Sequence, residues 1–244
     1  MLILAYAIAQ VEKHARYAEQ HWETLTTWAN YLVEHGLDPD NQLCTDDFAG
    51  HFAHNANLSI KAIVAIGSYA KLAGMLGKTD LEAKYYGIAR QMAAEWKKMA
   101  VDGDHYRLTF DKPGTWSQKY NMVWDKLFDM GLFDPDIRKT EIAYYLTKQN
   151  KYGLPLDNRE TYTKTDWIFW TATMADDLDT FQAFIKPVHL FMNECTTRTP
   201  MSDWVFTDRP HRRGFKARSV VGGYFIKMLE AQLQNNAKST AGAD

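Results

Sequence analysis

The chain has 244 residues, of which 46% are hydrophobic and 24% charged, the composition of a globular protein with one large domain or two small ones. Its formal net charge of −2 gives little support to nucleic-acid binding, because phosphate contacts need clustered positive charge. Two cysteines, Cys44 and Cys195, are too few for a disulfide framework or a zinc cluster, and the sequence leaves their pairing open.

The opening segment, MLILAYAIAQV (residues 1–11), is apolar and continues into a helical pattern. It lacks the basic start and the small-residue cleavage site of a signal peptide, and it is too short to span a bilayer. We therefore expect no signal peptide in this chain and no membrane partner. The segment is predicted to be a core helix that begins without a preceding loop.

Apolar periodicity predicts nine helices along the chain. The predicted spans are 2–15, 18–35, 56–76, 80–100, 118–130, 135–150, 164–175, 177–193 and 219–234. A small β-hairpin is expected within 101–117, where Asp102-Gly103 precedes alternating apolar residues. The polar tail NAKSTAGAD is predicted to be disordered, which gives one domain at 1–235 and a tail at 236–244.

The helices and their connections alternate in character. Odd helices are apolar nearly all round and even helices are amphipathic, which is typical of an inner and an outer layer. The long loops, at about 37–55, 101–117, 151–163 and 194–218, all follow even helices and therefore fall at one end. This pattern predicts an all-α fold, an (α/α)6-toroid of helical hairpins. A closed ring of six hairpins has twelve helices, so the toroid is expected to be incomplete by about three.

The first long loop contains TDDFAGHFAHNAN (45–57). Two carboxylates near one site can divide into an acid and a base, so Asp46 and Asp47 are candidate catalytic residues; alternatively, Asp46 caps backbone amides. Asn55 and Asn57 are candidates for substrate binding or for capping the next helix. A second cluster of metal ligands is absent, and neither a metal nor a cofactor is predicted.

The second long loop leads into WSQKYN (116–121). Trp116 is predicted to be either a stacking platform for a substrate or a plug over the end of the core. Lys119 and Asn121 are candidate substrate-binding residues, with an ion-paired role as the alternative for the lysine.

The third long loop carries the densest polar cluster. Asp166, at a helix start, is a candidate catalytic residue or an N-terminal charge that stabilises the helix. Asp157 and Arg159 are candidate substrate-binding residues; Arg159 suits a carboxylate clamp, or it is merely the partner of Asp157. Lys164 and Trp167 complete the substrate-binding candidates of this loop.

The fourth long loop adds Asp203 as a catalytic candidate and Trp204 and Arg218 as binding candidates. The sequence has no G-x-S-x-G elbow, no phosphate-binding glycine loop and no H-E-x-x-H. Long loops that precede odd helices would place the positive N-terminal ends of inner helices around one mouth. Such a mouth suits a small anionic or carboxylate-bearing ligand.

Five segments resemble the six-hairpin, glycosidase-like region of the glutaminase A family of large secreted or periplasmic proteins. They are TDDFAGHFAHNANLSIKAIVAIG (45–67), WSQKYNMVWDKLF (116–128), YGLPLDNRETYTKTDWIFWTA (152–172), SDWVF (202–206) and FKARSVVGG (215–223). The resemblance implies a longer parent protein, truncated here at its N-terminus, with a β-rich domain and further helices. It also implies export of the parent and hydrolysis of glutamine to glutamate and ammonia. Partners would be the rest of the parent chain or a second copy at the open edge.

Three functions follow as hypotheses. In an amidohydrolase, Asp47 or Asp166 would activate water, while Arg159 or Lys164 would hold the α-carboxylate and Asn55 or Asn121 would polarise the amide. In a glycoside hydrolase, Asp47 would face Asp166 or Asp203 with roughly 5 to 10 Å between the carboxyl groups. The third hypothesis is a non-catalytic fragment, which an exposed apolar seam would support.

Overall fold

The structure, a computed structural model, describes residues 1–40 and 47–241. Within these ranges it has ten α-helices, three short 3-10 helices and two small antiparallel sheets. The predicted all-α class is therefore confirmed. The chain divides into two compact units, the first formed by Met1–Gly114 with Trp124–Pro135 and the second by Thr115–Val123 with Asp136–Asp244.

The α-helices are α1 (Leu2–Glu12), α2 (Arg16–Gln20), α3 (Trp22–His35), α4 (Ala56–Met75), α5 (Thr79–Ala100), α6 (Val123–Leu127), α7 (Pro135–Leu146), α8 (Thr165–Thr173), α9 (Leu178–Glu194) and α10 (Ile226–Ala241). The 3-10 helices are Asp47–Ala49, Tyr120–Met122 and Ser219–Phe225. The strands are β1 (Val101–Asp102), β2 (His105–Tyr106), β3 (Tyr162–Lys164), β4 (Trp204–Phe206) and β5 (Arg212–Gly214).

The core of the first unit is the hairpin of α4 and α5. Helix α4 is buried on nearly every side, whereas α5 buries one face and exposes the other, as their sequences predict. The ring of Tyr69 stacks on Trp22 at 4.7 Å and meets Tyr85 edge-on at 4.7 Å. The indole of Trp96 donates a 2.8 Å hydrogen bond to the carbonyl of Ala56, which joins the end of α5 to the start of α4.

Length and hydropathy would also allow α4 to cross a membrane. However, 72% of its most apolar window is buried inside the protein, and such burial is typical of a core helix.

The surface formed by α1, α2 and α3 is unusually apolar. A cavity of about 340 Å³ lies among α1, α3 and α4. Large apolar side chains are exposed beside it: Met1, Leu4, Val11, Tyr17, Trp28 and Tyr31. An apolar seam was expected under the third hypothesis, and contact with a partner through it stays a prediction.

The predicted hairpin is present as β1 and β2, with Gly103 in the left-handed region (φ 67°) at the turn. Beyond it, the amide of Ala56 donates to Leu108 (2.9 Å) and the amide of Phe110 donates to His54 (2.9 Å). The first and second long loops therefore meet within the first unit.

The second unit contains the α8–α9 hairpin and a sheet that the sequence analysis missed. Its strand order is β3-β4-β5, all antiparallel, with Tyr162 opposite Phe206 and Lys164 opposite Trp204. Strands of three residues are too short to show the alternation by which a strand is recognised. This sheet brings the third and fourth long loops together.

Three predicted helices were wrong in detail. The span 18–35 is interrupted at His21, and 118–130 is a 3-10 turn followed by the short α6. The span 219–234 begins as a 3-10 helix, where Gly222 and Gly223 have low α-helical propensity. Helix α10 continues to Ala241 and so includes residues 236–241 of the predicted tail. The domain limits themselves stay a prediction.

Candidate active site

A buried lysine between two aspartates is the chemical centre of the second unit. The ammonium of Lys164 contacts Asp166 Oδ1 at 3.1 Å and also contacts Asp203 Oδ2. The three side chains are 1%, 6% and 0% exposed, respectively. We call these three residues the Lys164 cluster.

The local fold explains why these residues meet. Lys164 is the last residue of β3, and its partner in the sheet is Trp204, the residue after Asp203. The amide of Thr165 donates a 2.9 Å hydrogen bond to the carbonyl of Asp203, and α8 begins there, so that Asp166 lies in its first turn. The pairing of β3 with β4 therefore brings together two loops that are distant in sequence.

The electrostatics of the cluster favour a carboxyl group that can exchange protons. Burial raises the pKa of Asp166, and the charge of Asp203 adds to this effect, whereas the ammonium of Lys164 opposes it. Asp203 Oδ1 is buried and makes no hydrogen bond within the described part of the chain. An unsatisfied buried oxygen of this kind is costly, and a ligand or a water molecule can satisfy it.

The segment 218–225 covers one side of the cluster. Arg218, one-third exposed, lies 3.6 Å from Asp203 Oδ2, and the hydroxyl groups of Tyr224 and Thr165 are hydrogen-bonded. Burial raises the pKa of Tyr224 to about 12, and the charges of the two aspartates contribute. A Cβ atom on Gly223 would lie 2.9 Å from Nε1 of Trp170 and 3.2 Å from Cβ of Asp166, so any larger residue here would displace these neighbours.

Aromatic rings form another wall. Trp167 stacks on Tyr120 with 4.4 Å between ring centroids, and Trp170 meets the same tyrosine edge-on at 6.2 Å. The ammonium of Lys164 lies 4.9 Å from the centroid of Trp167, a cation–π contact. Trp167 was a candidate substrate-binding residue, and its ring directly contacts the Lys164 cluster.

Asp157 and Arg159 bind each other. Two contacts join them, Nε to Oδ1 at 3.0 Å and Nη2 to Oδ2 at 2.6 Å, and Asp157 is buried. The sequence analysis gave this ion pair as the alternative to a substrate clamp at Arg159. A direct role in substrate binding stays a prediction for both residues.

Trp116 and Lys119 lie inside the second unit. The indole of Trp116 is buried against Tyr144 and Tyr145, a position that favours the plug over the platform. Lys119 is fully buried and lies 3.4 Å from the carboxylate of Glu141. This contact is the ion-paired role that was the alternative to substrate binding. Asn121 is also buried, in the 3-10 turn before α6. Substrate binding by these residues stays a prediction.

The candidates of the first loop lie in the first unit or outside the described residues. Asn55 caps α4, since its Oδ1 accepts the amide of Leu58 at 2.8 Å, and Asn57 is buried. Asp47 begins a 3-10 turn, but its side chain lies outside the described part, as do Asp46 and Cys44. The second cysteine, Cys195, is buried, and its pairing with Cys44 stays open.

Two residues of the site were not predicted. Tyr224 lies in a segment that was interpreted only as a helix. Gln118 is fully buried, and its amide group donates to Thr163 Oγ1 (3.2 Å) and accepts from Thr171 Oγ1 (2.8 Å). It thereby joins β3 to α8 on either side of Lys164. The sequence signal for Gln118 was its position beside Lys119 in the polar segment WSQKYN.

The cluster geometry does not favour Asp166 and Asp203 as the two carboxylates of a glycosidase, whereas the predicted pairs with Asp47 stay predictions because its side chain lies outside the described part of the chain. Asp166 and Asp203 bind the same ammonium group, so the lysine occupies the space between them. A glycosidase pair needs that space for the sugar and for water. Among the described residues, no group of three or more His, Cys, Asp and Glu side chains is placed to hold a metal.

Comparison with known proteins agrees with the (α/α)6-toroid class. Residues 1–228 match the family model described as the glutaminase A six helical-hairpin domain. The chain is 33% identical over 236 residues to a protein named Glutaminase A from Aspergillus oryzae, covering 94% of this chain and 34% of that protein. It is 30% identical over 262 residues to a protein named probable glutaminase from Arthroderma benhamiae, covering 93% of this chain and 30% of that protein. The chain spans about a third of the length of these curated relatives. By the match over residues 1–228, it belongs to the glutaminase A six helical-hairpin domain family.

Proposed function

We propose that the Lys164 cluster is the site of an amidohydrolase that converts L-glutamine and water to L-glutamate and ammonia. One observation carries the proposal: a buried ammonium lies between two carboxylates, and the pKa of one of them, Asp166, is raised. The names of the two relatives supply the substrate class.

Asp166 is the general base and then the general acid in this proposal. A carboxylate with a raised pKa is a better proton acceptor near neutral pH than an ordinary one. Asp166 accepts a proton from the attacking water as the oxygen bonds to the amide carbon. When the carbon–nitrogen bond breaks, the same proton passes to the departing nitrogen, and ammonia leaves.

Lys164, held in place by Asp203, stabilises the negative charge that develops on the amide oxygen. The ammonium stabilises the negative oxygen of the tetrahedral intermediate, an interaction that is strong in a site that excludes water. Asp203 acts through Lys164, because it holds the ammonium on the side opposite Asp166. Asp203 is therefore a positioning residue.

Arg218 is the cation that we assign to the α-carboxylate of glutamine. Arg159 is bound on two nitrogens by Asp157, and Lys164 is already assigned to the oxygen of the amide. Arg218 is one-third exposed and lies 3.6 Å from its partner, so a substrate carboxylate can replace that contact. Access requires a movement of the segment 218–225, whose 3-10 helix has no buried residue.

The test is ammonia release from L-glutamine by the purified chain and by Asp166→Asn. General acid–base catalysis contributes about 100-fold or more, so we expect kcat to fall by at least that factor. Asp177→Asn is the matched control, since Asp177 caps α9 through the amide of Thr180 and asparagine caps equally well. Full activity in folded Asp166→Asn, shown by circular dichroism, would refute the assignment.

A further inference from the structure

Although the net charge of the chain is −2, the segment 209–218, RPHRRGFKAR, concentrates positive charge, a cluster that the sequence analysis missed. Half of its ten residues are lysine or arginine, and none is acidic. The segment includes β5 and ends at Arg218, beside the Lys164 cluster.

Aromatic rings hold the arginines of this segment in place. The guanidinium of Arg213 lies 4.8 Å from the centroid of Trp204 and 5.7 Å from that of Tyr162. Phe215 stacks on Trp204 at 5.3 Å, and Arg218 lies 4.5 Å from Phe215. We call these residues the arginine–aromatic surface: Tyr162, Trp204, Arg212, Arg213, Phe215, Lys216 and Arg218.

The sheet presents Arg213 at a bulge on an edge strand. In the pairing of β4 with β5, Val205 is opposite Arg212 and Trp204 is opposite Gly214, so Arg213 is an extra residue without a partner in β4. A bulge re-aims a side chain and is found preferentially at sheet edges and beside sites. Here it leaves the Arg213 side chain exposed over the ring of Trp204.

The positive charge of this surface is only partly neutralised. Arg213 has no ion pair or hydrogen bond within the described residues. In the same part of the chain, Nη1 of Arg212 is buried without a hydrogen-bond partner. A buried, unpaired guanidinium nitrogen is costly, and no carboxylate among the described residues neutralises the charge of Arg212.

We propose that the arginine–aromatic surface binds a short acidic peptide segment, and that the preferred substrate is the C-terminal glutamine of such a peptide, whose free α-carboxylate contacts Arg218. Arg212, Arg213 and Lys216 match two or three carboxylates, whereas a long polyanion would exceed the surface and be repelled by the remaining chain, which is net acidic. Since the surface ends at Arg218, a glutamine next to the acidic residues reaches the Lys164 cluster. The hydrolysis of the peptide rests on the proposed function, but its binding does not.

Binding is tested by fluorescence anisotropy with N-terminally labelled peptides in which two glutamates, two alanines or two lysines precede a C-terminal glutamine with a free carboxylate. We expect the acidic peptide to bind at least about tenfold more tightly than the alanine peptide, and this preference to weaken at high salt. Arg213→Ala should remove about tenfold of the affinity and Arg213→Lys less, because lysine keeps the charge but not the planar stacking. The control Lys139→Ala removes an exposed lysine of α7 and should change affinity by less than about twofold.

Equal affinity for the acidic and alanine peptides, or an equal loss in the control variant, would overturn the proposal. An oligonucleotide or acidic polysaccharide of equal charge that binds more tightly, in an Arg213-dependent way, would overturn the assignment to peptides. Ammonia release separates the two proposals. If the acidic peptide binds through Arg213 but releases no ammonia, the proposed function is refuted. If glutamine is hydrolysed and the peptide does not bind, the proposed role of the arginine–aromatic surface is refuted.

Discussion

Among its described residues, the second unit contains two buried lysines that contact carboxylates, and the two lysines differ in how completely their partners are satisfied. Lys119 donates to the carbonyl (2.9 Å) and hydroxyl (3.3 Å) of Ser117 and pairs with Glu141, which also accepts the hydroxyl of Tyr145. All of these groups are deeply buried. The Lys164 cluster instead has an oxygen without a hydrogen bond and a half-exposed cover.

The difference shows that burial of an ion pair is not by itself a sign of chemistry. A pair that is saturated by hydrogen bonds is rigid and has no capacity left for a ligand. The Lys164 cluster keeps an unsatisfied oxygen on Asp203, a raised pKa on Asp166 and a border with solvent at Arg218. We therefore assign structure to the Lys119 pair and catalysis to the Lys164 cluster, and four measurements test this division.

The largest effect on stability is expected for Glu141→Leu. The change leaves Lys119 buried without its carboxylate, and breaking a buried pair in this way costs about 3–5 kcal/mol. Urea unfolding measures the loss, with Asp136→Asn as the control on the same helix. Asp136 and Lys139 form an exposed pair, so the control should lose less than about 1 kcal/mol. If Glu141→Leu lost less free energy of unfolding than the control, the structural role assigned to the Lys119 pair would be refuted.

Asp203→Asn should separate activity from stability. Lys164 keeps Asp166 as a partner, so we expect a loss of less than about 2 kcal/mol in the free energy of unfolding. In contrast, kcat should fall about 10- to 100-fold, as for other residues that orient a reacting group. Asp203 also raises the pKa of Asp166, and the variant should therefore move the acid limb of kcat/KM to lower pH. An unmoved limb would contradict the coupling.

Asp166→Asn should change how stability depends on pH. The folded protein holds the proton of Asp166 more tightly than the unfolded chain, because burial raises the pKa. Stability from this group is present below the unfolded pKa of 3.8 and is lost as the pH rises through the higher folded pKa. Between pH 4 and pH 7, the variant should therefore gain stability relative to the wild type in urea unfolding. A constant difference across this range would show that the carboxyl group titrates normally.

The sequence predicted the helical layers because long segments carry a clear period. Helix α4 is apolar on all sides over twenty residues and α5 is amphipathic over twenty-two, so both spans could be recognised. The same periodicity failed where structure is short. The three-residue strands and the 3-10 helix of residues 219–225 carry too few residues for a period.

The site was predicted as a set of residues and not as an arrangement. Lys164, Asp166, Asp203 and Arg218 were all candidates, because the long loops that carry them, each with aspartate beside aromatic or cationic residues, were expected to converge on one mouth. Their mutual contacts depend on the register of β3 with β4, which brings Asp203 to Lys164. Tyr224 had no signal in the sequence, since its role depends on the contact with Thr165.

Tyr224→Phe should give the smallest effect, and it tests the cover that only the Lys164 cluster has. The variant loses one hydrogen bond, to Thr165, and keeps the stacking of the ring on Phe169 at 4.5 Å. We expect a loss of about 0.5–1.5 kcal/mol in urea unfolding. Because the segment 218–225 is then held less firmly, it opens more often, and kcat should change more than KM if opening limits turnover. Tyr17→Phe, an exposed tyrosine of α2, is the control and should leave both constants unchanged. A stability loss with unchanged kinetic constants would make Tyr224 a packing residue, and the barrier to the substrate would then lie elsewhere.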